Sequence, residues 1–400
     1  MLISMGILML AGLAGAALAQ KARLPRILGM ILAGIAVGPV GLNLLGADLL
    51  ALSPDLRRLA LLILLLHAGL AVDLRGAAAV ARPILLIATL PPLAEVLAAL
   101  LLAPPLLGLD ASGALVLGCV LAAISPAVIV PAMLRLMQQG RGTAHRVPHI
   151  LATAVSLDNV FVLALAAAAF RVAQDGAGAG PFLRIPLALL SGLALGLATG
   201  WALARGQRTL LRRGAAPRPT LVVLTLLALA LLLQGLEGLA PAQWPFSGLL
   251  AVLGMAACYR WCSPVPAAEE LAAALGHLWL WAEVVLFVLV GAGVDPRATL
   301  AVGGAGLLLL LAAYLARSAA TWLSLLGTPL TTRERAFCLL ACLPKATVQA
   351  AIGSVPLALG LPCGGVACAL AVLSMLVTAP LGVIAIERSW RRLLPQDDPA

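Results

Sequence analysis

Five ionisable residues stand inside long apolar runs: Glu95, Asp158, Glu283, Arg317 and Lys345. A charge deep in a bilayer costs at least about 2.5 kcal/mol on insertion scales, so each of these needs a partner or a function. Glu95 and Arg317 are most simply used as a salt bridge between helices, and Glu283, beside Trp279 and Trp281, as a packing or dimer contact. Asp158 is different. It lies in Ser156-Leu157-Asp158-Asn159, with Thr153 one turn earlier. A desolvated carboxylate can hold either a proton or a small cation, and hard cations prefer oxygen ligands. Asn159, Ser156, Thr153, Ser125 and the carbonyls freed at a broken helix would supply those oxygens. Lys345 and Lys21 are the only lysines among 26 basic residues. Directly after Pro344, the Lys345 ammonium can face the carbonyl end of a half-helix and, unlike a guanidinium, change protonation readily. His67 reads as a helix-contact residue, and His145 and His149 flank the cytoplasmic start of a helix.

The elements that position these groups must be membrane helices. The chain has 400 residues, of which 62% are hydrophobic and 10% charged, and a mean hydropathy of +1.09. That composition excludes a soluble enzyme, and the short gaps between apolar runs leave no room for a sizeable extramembrane domain. The runs are long and unbroken, as in helices, rather than alternating, as in outer-membrane strands. The net charge of +10 sits in the gaps, where it orients the chain instead of binding nucleic acid. Seven cysteines are scattered in apolar context without Cys-x-x-Cys spacing, so no disulfide framework, zinc site or cofactor is indicated. The opening run ends like a signal peptide but has no basic n-region, and it reads as a retained first helix.

Apolar runs bounded by charge, Pro or Gly fall at about 2–19, 24–45, 56–73, 83–106, 112–137, 148–171, 182–204, 218–236, 246–260, 271–293, 299–325, 335–356 and 364–387, thirteen candidate helices in all. With the N-terminus outside, nineteen of the 26 basic residues fall on the cytoplasmic side, Arg23, Arg75, Arg82, Arg135 and Arg388 among them. Only Arg57, Arg58, Arg171, Arg184 and Arg297 then lie outside, the bias expected of a correctly oriented chain. An odd count fits two six-helix halves of opposite orientation joined by helix 7. The fifth helix of each half carries a similar flaw: Ser125-Pro126 and Pro131 in one, Pro344 with Gly353 and Pro356 in the other. Proline removes a backbone donor and clashes with the preceding turn, so Pro126, Pro131 and Pro344 are expected to break these helices. The fold class is an all-α polytopic membrane protein with inverted repeats and two discontinuous helices.

Ile124-Ser125-Pro126-Ala127-Val128-Ile129-Val130-Pro131-Ala132-Met133, the Asp158-Asn159 pair and Leu343-Pro344-Lys345-Ala346-Thr347-Val348-Gln349-Ala350-Ala351-Ile352-Gly353 together resemble the monovalent cation:proton antiporter superfamily. Within it they are most similar to sodium/proton exchangers of the NHA type, and the order of Glu95, Asp158, Arg317 and Lys345 extends the resemblance over the whole chain. The resemblance implies an NhaA-like antiporter fold with the two discontinuous helices crossed, and a homodimer in membrane lipid. It implies dimerisation-domain helices 1–3 (residues 1–78) and 8–10 (215–296), core helices 4–6 (79–175) and 11–13 (297–390), a linker helix 7 (176–214) and a short cytoplasmic tail (391–400). Asp158 is then the carboxylate that exchanges a proton for Na+ or Li+, with Arg317 and Lys345 as its basic partners and Glu95 tied to Arg317. One departure stands out. The NHA pattern has two adjacent Asp, and Asn159 occupies the second position, which keeps an oxygen ligand but loses a charge and a titratable proton.

The implied activity is secondary antiport, not enzymatic, with an elevator-like core in the inner membrane, the N-terminus outside, the C-terminus cytoplasmic, and no soluble or nucleic-acid partner. On this reading the core moves only when a cation or a proton neutralises Asp158. Two readings stand beside it. A sodium-coupled symporter of an organic anion would share broken helices but use fewer spans and a larger polar cavity. A non-transporting scaffold or sensor is encouraged by Asn159 and opposed by the four buried charges that remain.

Overall fold

The computed structural model describes residues 1–22, 24–71, 80–175, 179–214, 218–239, 246–263, 265–293 and 296–396. Arg23 and Arg75 lie outside the described residues, as do the side chains of Arg184 and Arg297. The described chain is helical throughout, with no strand among the described residues. The first half contains α1 (Leu2–Lys21), α2 (Arg26–Val37), α3 (Ala47–Ala71), α4 (Ala81–Leu107), α5 (Ala111–Ala122), α6 (Pro126–Gln138), α7 (Val147–Asp175) and α8 (Ala179–Arg212). The second contains α9 (Pro219–Leu239), α10 (Gly248–Cys262), α11 (Val265–Ala292), α12 (Pro296–Ser324), α13 (Thr332–Ala341), α14 (Thr347–Gly353), α15 (Val355–Ala358) and α16 (Gly364–Leu393). Among the described residues seven helices are long and apolar enough to cross a membrane by length and composition alone. The chain is a multi-pass membrane protein.

Element boundaries follow local chemistry. α2 stops at Val37 rather than near residue 45, because Gly38 precedes Pro39 and a residue before proline is disfavoured in helix. The chain turns back through Leu42 N–H to Ala36 O (2.7 Å), with Asn43 left-handed at φ 51°. α3 starts at Ala47, earlier than the apolar run at 56, with Asp48 in its first turn where a carboxylate favours a helix N-terminus. The expected span 112–137 is divided into α5 and α6, with Ala123 and Ser125 extended (ψ 127° and 104°) and Pro126 at the first position of α6. There proline's missing N–H costs nothing. Pro131, by contrast, does not break the chain: α6 runs through it to Gln138. A single lost donor inside a membrane helix is tolerated as a local kink when neighbours absorb it. The expected span 335–356 is interrupted between Ala341 and Thr347, around Pro344.

Two groups of helices pack mainly within themselves. In one, α11 touches α1, α2, α3 and α9, while α10 touches α3, α8 and α9. In the other, α4 packs on α5, α7 and α12, α6 on α7, and α16 on α12 through α15. α14 meets α3 and α11 along the seam between them. The α8–α10 contact is backbone against backbone: a Cβ at Gly196 would lie 2.2 Å from Ala251 O, and one at Gly192 would lie 2.4 Å from Ser247 O. Small residues allow this approach, which is how helices associate where lipid removes the hydrophobic drive.

Candidate functional site

The two interruptions touch. Ser125 N–H, at the gap between α5 and α6, donates to Pro344 O, in the gap before α14, at 2.9 Å. α16 backs this junction through Gly382, where a Cβ would come within 2.4 Å of Pro344 Cγ. Ending α5 at Ala122 leaves its last carbonyls without helical donors. They are not free for a cation. Ala122 O accepts from Arg317 Nη1 at 2.7 Å, and Leu121 O accepts from Lys345 Nζ.

Four of the five charges meet here. Glu95 on α4 accepts from Arg317 Nη1 (3.0 Å) and from Lys345 Nζ at both oxygens (2.7 and 2.8 Å). Arg317 on α12 also donates from Nη2 to Asp158 Oδ2 at 2.5 Å, reaching α7. All four are buried: Glu95 and Asp158 are 0% exposed, Lys345 1% and Arg317 2%. With two carboxylates and two bases, the cluster is neutral when every member is ionised. Its hydrogen bonds are uneven, however. Glu95 is held by both bases, whereas Asp158 is held by one donor and its Oδ1 has no partner among the described residues.

Other buried oxygens share that condition. Asn159 donates Nδ2–H to Val155 O at 2.9 Å but its Oδ1 is unpartnered, and so is Ser125 Oγ. α7, which carries Asp158 and Asn159, packs against both α5 and α6. Unsatisfied buried oxygens are costly, and a set of them is what an oxygen-preferring cation would complete. Ser156 is differently placed: its hydroxyl donates to Ala152 O of its own helix at 3.0 Å. At about 100° per residue, Ser156 and the half-buried Thr153 share the side of α7 away from Asp158. The structure therefore brings Glu95, Asp158, Arg317 and Lys345 into one network and leaves those two hydroxyls behind it.

Several contributors carry no sequence signal of their own. The Tyr314 ring lies under the Lys345 ammonium, 5.0 Å from Nζ to the centroid, and Thr378 Oγ1 accepts from the Lys345 backbone N–H at 3.2 Å. Thr347 and Gln349, at the start of α14, are 0% exposed with unpartnered polar atoms. Their position immediately after Lys345 was the available clue. Glu283 stands apart from the network and lines a cavity of about 300 Å³ with Arg26, Arg135 and Glu387. His67 is half-buried on α3, its Nδ1 without a partner among the described residues. His145 Nδ1 is 3.0 Å from both oxygens of Glu334, which itself closes a capping box with Thr331 at the start of α13.

The chain also matches known proteins over nearly its whole length. The family model described as sodium/hydrogen exchanger, transmembrane, covers residues 6–391. Sodium/hydrogen exchanger 9B2 of Homo sapiens is 33% identical over 93% of this chain and 70% of its own length. Sodium/hydrogen exchanger 9B1 of Homo sapiens is 29% identical over 90% and 71% respectively. Among solved structures, the sodium proton antiporter MjNhaP1 from Methanocaldococcus jannaschii superposes with a TM-score of 0.79 at 20% identity, covering 98% of this chain and 97% of that one. That likeness establishes a shared fold. The family match across residues 6–391 and the 33% identity to the 9B2 exchanger make the chain a member of the sodium/hydrogen exchanger family, within the monovalent cation:proton antiporter superfamily.

Proposed function

We propose that this cation/proton antiporter exchanges Na+ or Li+ for H+ at Asp158, one ion at a time. The observation that carries the reading is the open Oδ1 of a fully buried Asp158 whose other oxygen is held by Arg317 at 2.5 Å. A proton and a bare cation compete for the same atom, so binding one excludes the other. Asn159 Oδ1 and Ser125 Oγ are the neutral oxygens that complete the cation's shell. Because the unloaded cluster is already neutral, what must be satisfied before the site crosses an apolar barrier is the desolvated oxygen, not a net charge. The proton-loaded and cation-loaded forms carry equal charge, so a complete cycle moves one cation against one proton.

Movement is read as an elevator. α4–α7 and α12–α16 form the carrier, α1–α3 and α9–α11 the scaffold of a homodimer, and α8 the link between them. Counting α5–α6 and α13–α15 as one interrupted span each gives thirteen spans, with the interrupted pair crossing at Ser125 and Pro344. The cavity lined by Arg26 and Glu283 on one side and Arg135 and Glu387 on the other supports this division, since it opens between α2, α11 and α6, α16. The arrangement Arg135 with Glu387, Arg141 with Gln396 and His145 with Glu334 supports a cytoplasmic end there and an outward N-terminus.

The test is sodium- and lithium-driven pH change in proteoliposomes, comparing the wild type with Asp158→Asn and Asn159→Asp. The proposal expects exchange in the wild type and none in Asp158→Asn. Exchange that appears only in Asn159→Asp would overturn it and mark the native chain as a scaffold or sensor.

A further inference from the structure

We propose that the Tyr314 ring is a positioning element that keeps Lys345 on Glu95 and away from Asp158, so that Asp158 Oδ1 stays open to an incoming cation. The inference rests on the antiport reading above. An ammonium has three donors, and here all three are used, on Glu95 Oε1 (2.7 Å), Glu95 Oε2 (2.8 Å) and Leu121 O. The ammonium also lies over the Tyr314 ring, 5.0 Å from Nζ to the centroid, within the range at which the negative face of a ring attracts a cation. Tyr314 and Arg317 are three residues apart on α12, hence on one face. One helix thus presents a ring to the lysine and a guanidinium to the aspartate. The stem of Lys345 is anchored as well, by its backbone N–H on Thr378 Oγ1. Lys345 is thus an interior lysine in a chain whose basic residues are almost all arginine, and its compact ammonium places one point charge between Glu95, Leu121 O and the ring.

Without the ring, the flexible ammonium gains freedom to swing toward Asp158 and compete with the transported ion. Tyr314→Leu is therefore expected to raise the apparent KM for Na+ about five- to tenfold, the range of a partly desolvated cation–π contact, with kcat within about twofold. Tyr314→Phe keeps the ring and restores the wild-type KM. A second readout needs no transport. Exposed Lys21 is an internal reference for acetic anhydride labelling of Lys345, read by mass spectrometry. The Lys345 to Lys21 ratio should rise about fivefold in Tyr314→Leu and not in Tyr314→Phe, while maleimide labelling of buried Cys342 stays unchanged. Tyr314→Met serves in the same assays if the Leu variant does not fold. The proposal is overturned if the ring-less variant keeps both KM and labelling at wild-type values, if Phe behaves like Leu, or if Cys342 opens together with Lys345, which would mean general loosening. Should the wild type exchange no cation, the antiport reading falls while the labelling ratio still decides the role of Tyr314.

Discussion

Glu95→Gln and Asp158→Asn each remove one negative charge from the same neutral cluster, yet the geometry gives them opposite consequences. Glu95 accepts from Arg317 once and from Lys345 twice. Neutralising it leaves an ammonium that is 1% exposed without a counter-charge on this residue, and sets an amide NH2 in place of one of the two oxygens it donates to. Removing one partner of a buried ion pair costs about 3–5 kcal/mol. Asp158 accepts a single bond, and Arg317 keeps Glu95 and Ala122 O when it is lost. A charge-assisted hydrogen bond is worth about 1.5–3 kcal/mol, partly offset because the desolvated Oδ1 no longer carries charge. Glu95→Gln should therefore be the less stable protein by about 2 kcal/mol, while Asp158→Asn is the near-intact one that has lost exchange. Denaturant unfolding in detergent, followed by tryptophan fluorescence and run beside the proteoliposome assay, reads both quantities. If Asp158→Asn proves as unstable as Glu95→Gln, the carboxylate is a structural ion-pair member and the division of labour drawn here is wrong.

Since proton-loaded and cation-loaded sites carry equal charge, imposing a membrane potential with potassium and valinomycin should leave the exchange rate within about twofold, the difference expected of a sub-kcal/mol effect; a rate that follows the potential refutes one-for-one exchange. At the exposed start of α5, the Asp110 carboxylate is held below the usual carboxylate range by the Ser112 hydroxyl (2.5 Å) and the Gly113 N–H (3.0 Å). A depressed folded value means that this cap stabilises at neutral pH and is lost as pH falls through that value. Asp110→Ala should accordingly lower the melting temperature at neutral pH but not in acid strong enough to protonate the wild-type cap, and an equal loss at both would sink the idea. Gly382→Ala places a Cβ 2.4 Å from Pro344 Cγ; exchange should fall with helical circular dichroism retained, and wild-type rates would show that the junction yields.

Much of this arrangement is legible in the sequence because a bilayer makes exceptions conspicuous. Glu95, Asp158, Arg317 and Lys345 stand out against apolar runs, and Pro126 and Pro344 announce gaps, because each breaks a rule that costs kilocalories to break. Pro131 is the counterexample: chemically identical to Pro126, it lies inside a helix that continues, because what decides is the placement of neighbours, which the local sequence does not encode. The division of the two bases between the two acids is likewise invisible from spacing, since four groups of compatible charge admit several pairings. Tyr314 is hidden for a related reason. A single aromatic in an apolar helix reads as core until Lys345, far along the chain, is brought over its face.

The bond from Ser125 N–H to Pro344 O joins the two gaps through main chain on both sides. Neither atom belongs to a side chain, so among substitutions only Ser125→Pro deletes it outright. The frame that sets the separation of the half-helices is thus insulated from changes in the residues that line it. On the proposed antiport reading, a change at Ser125 or Asn159 alters an oxygen of the cation's shell while the scaffold around it keeps its dimensions. Such a protein can be tuned without being rebuilt.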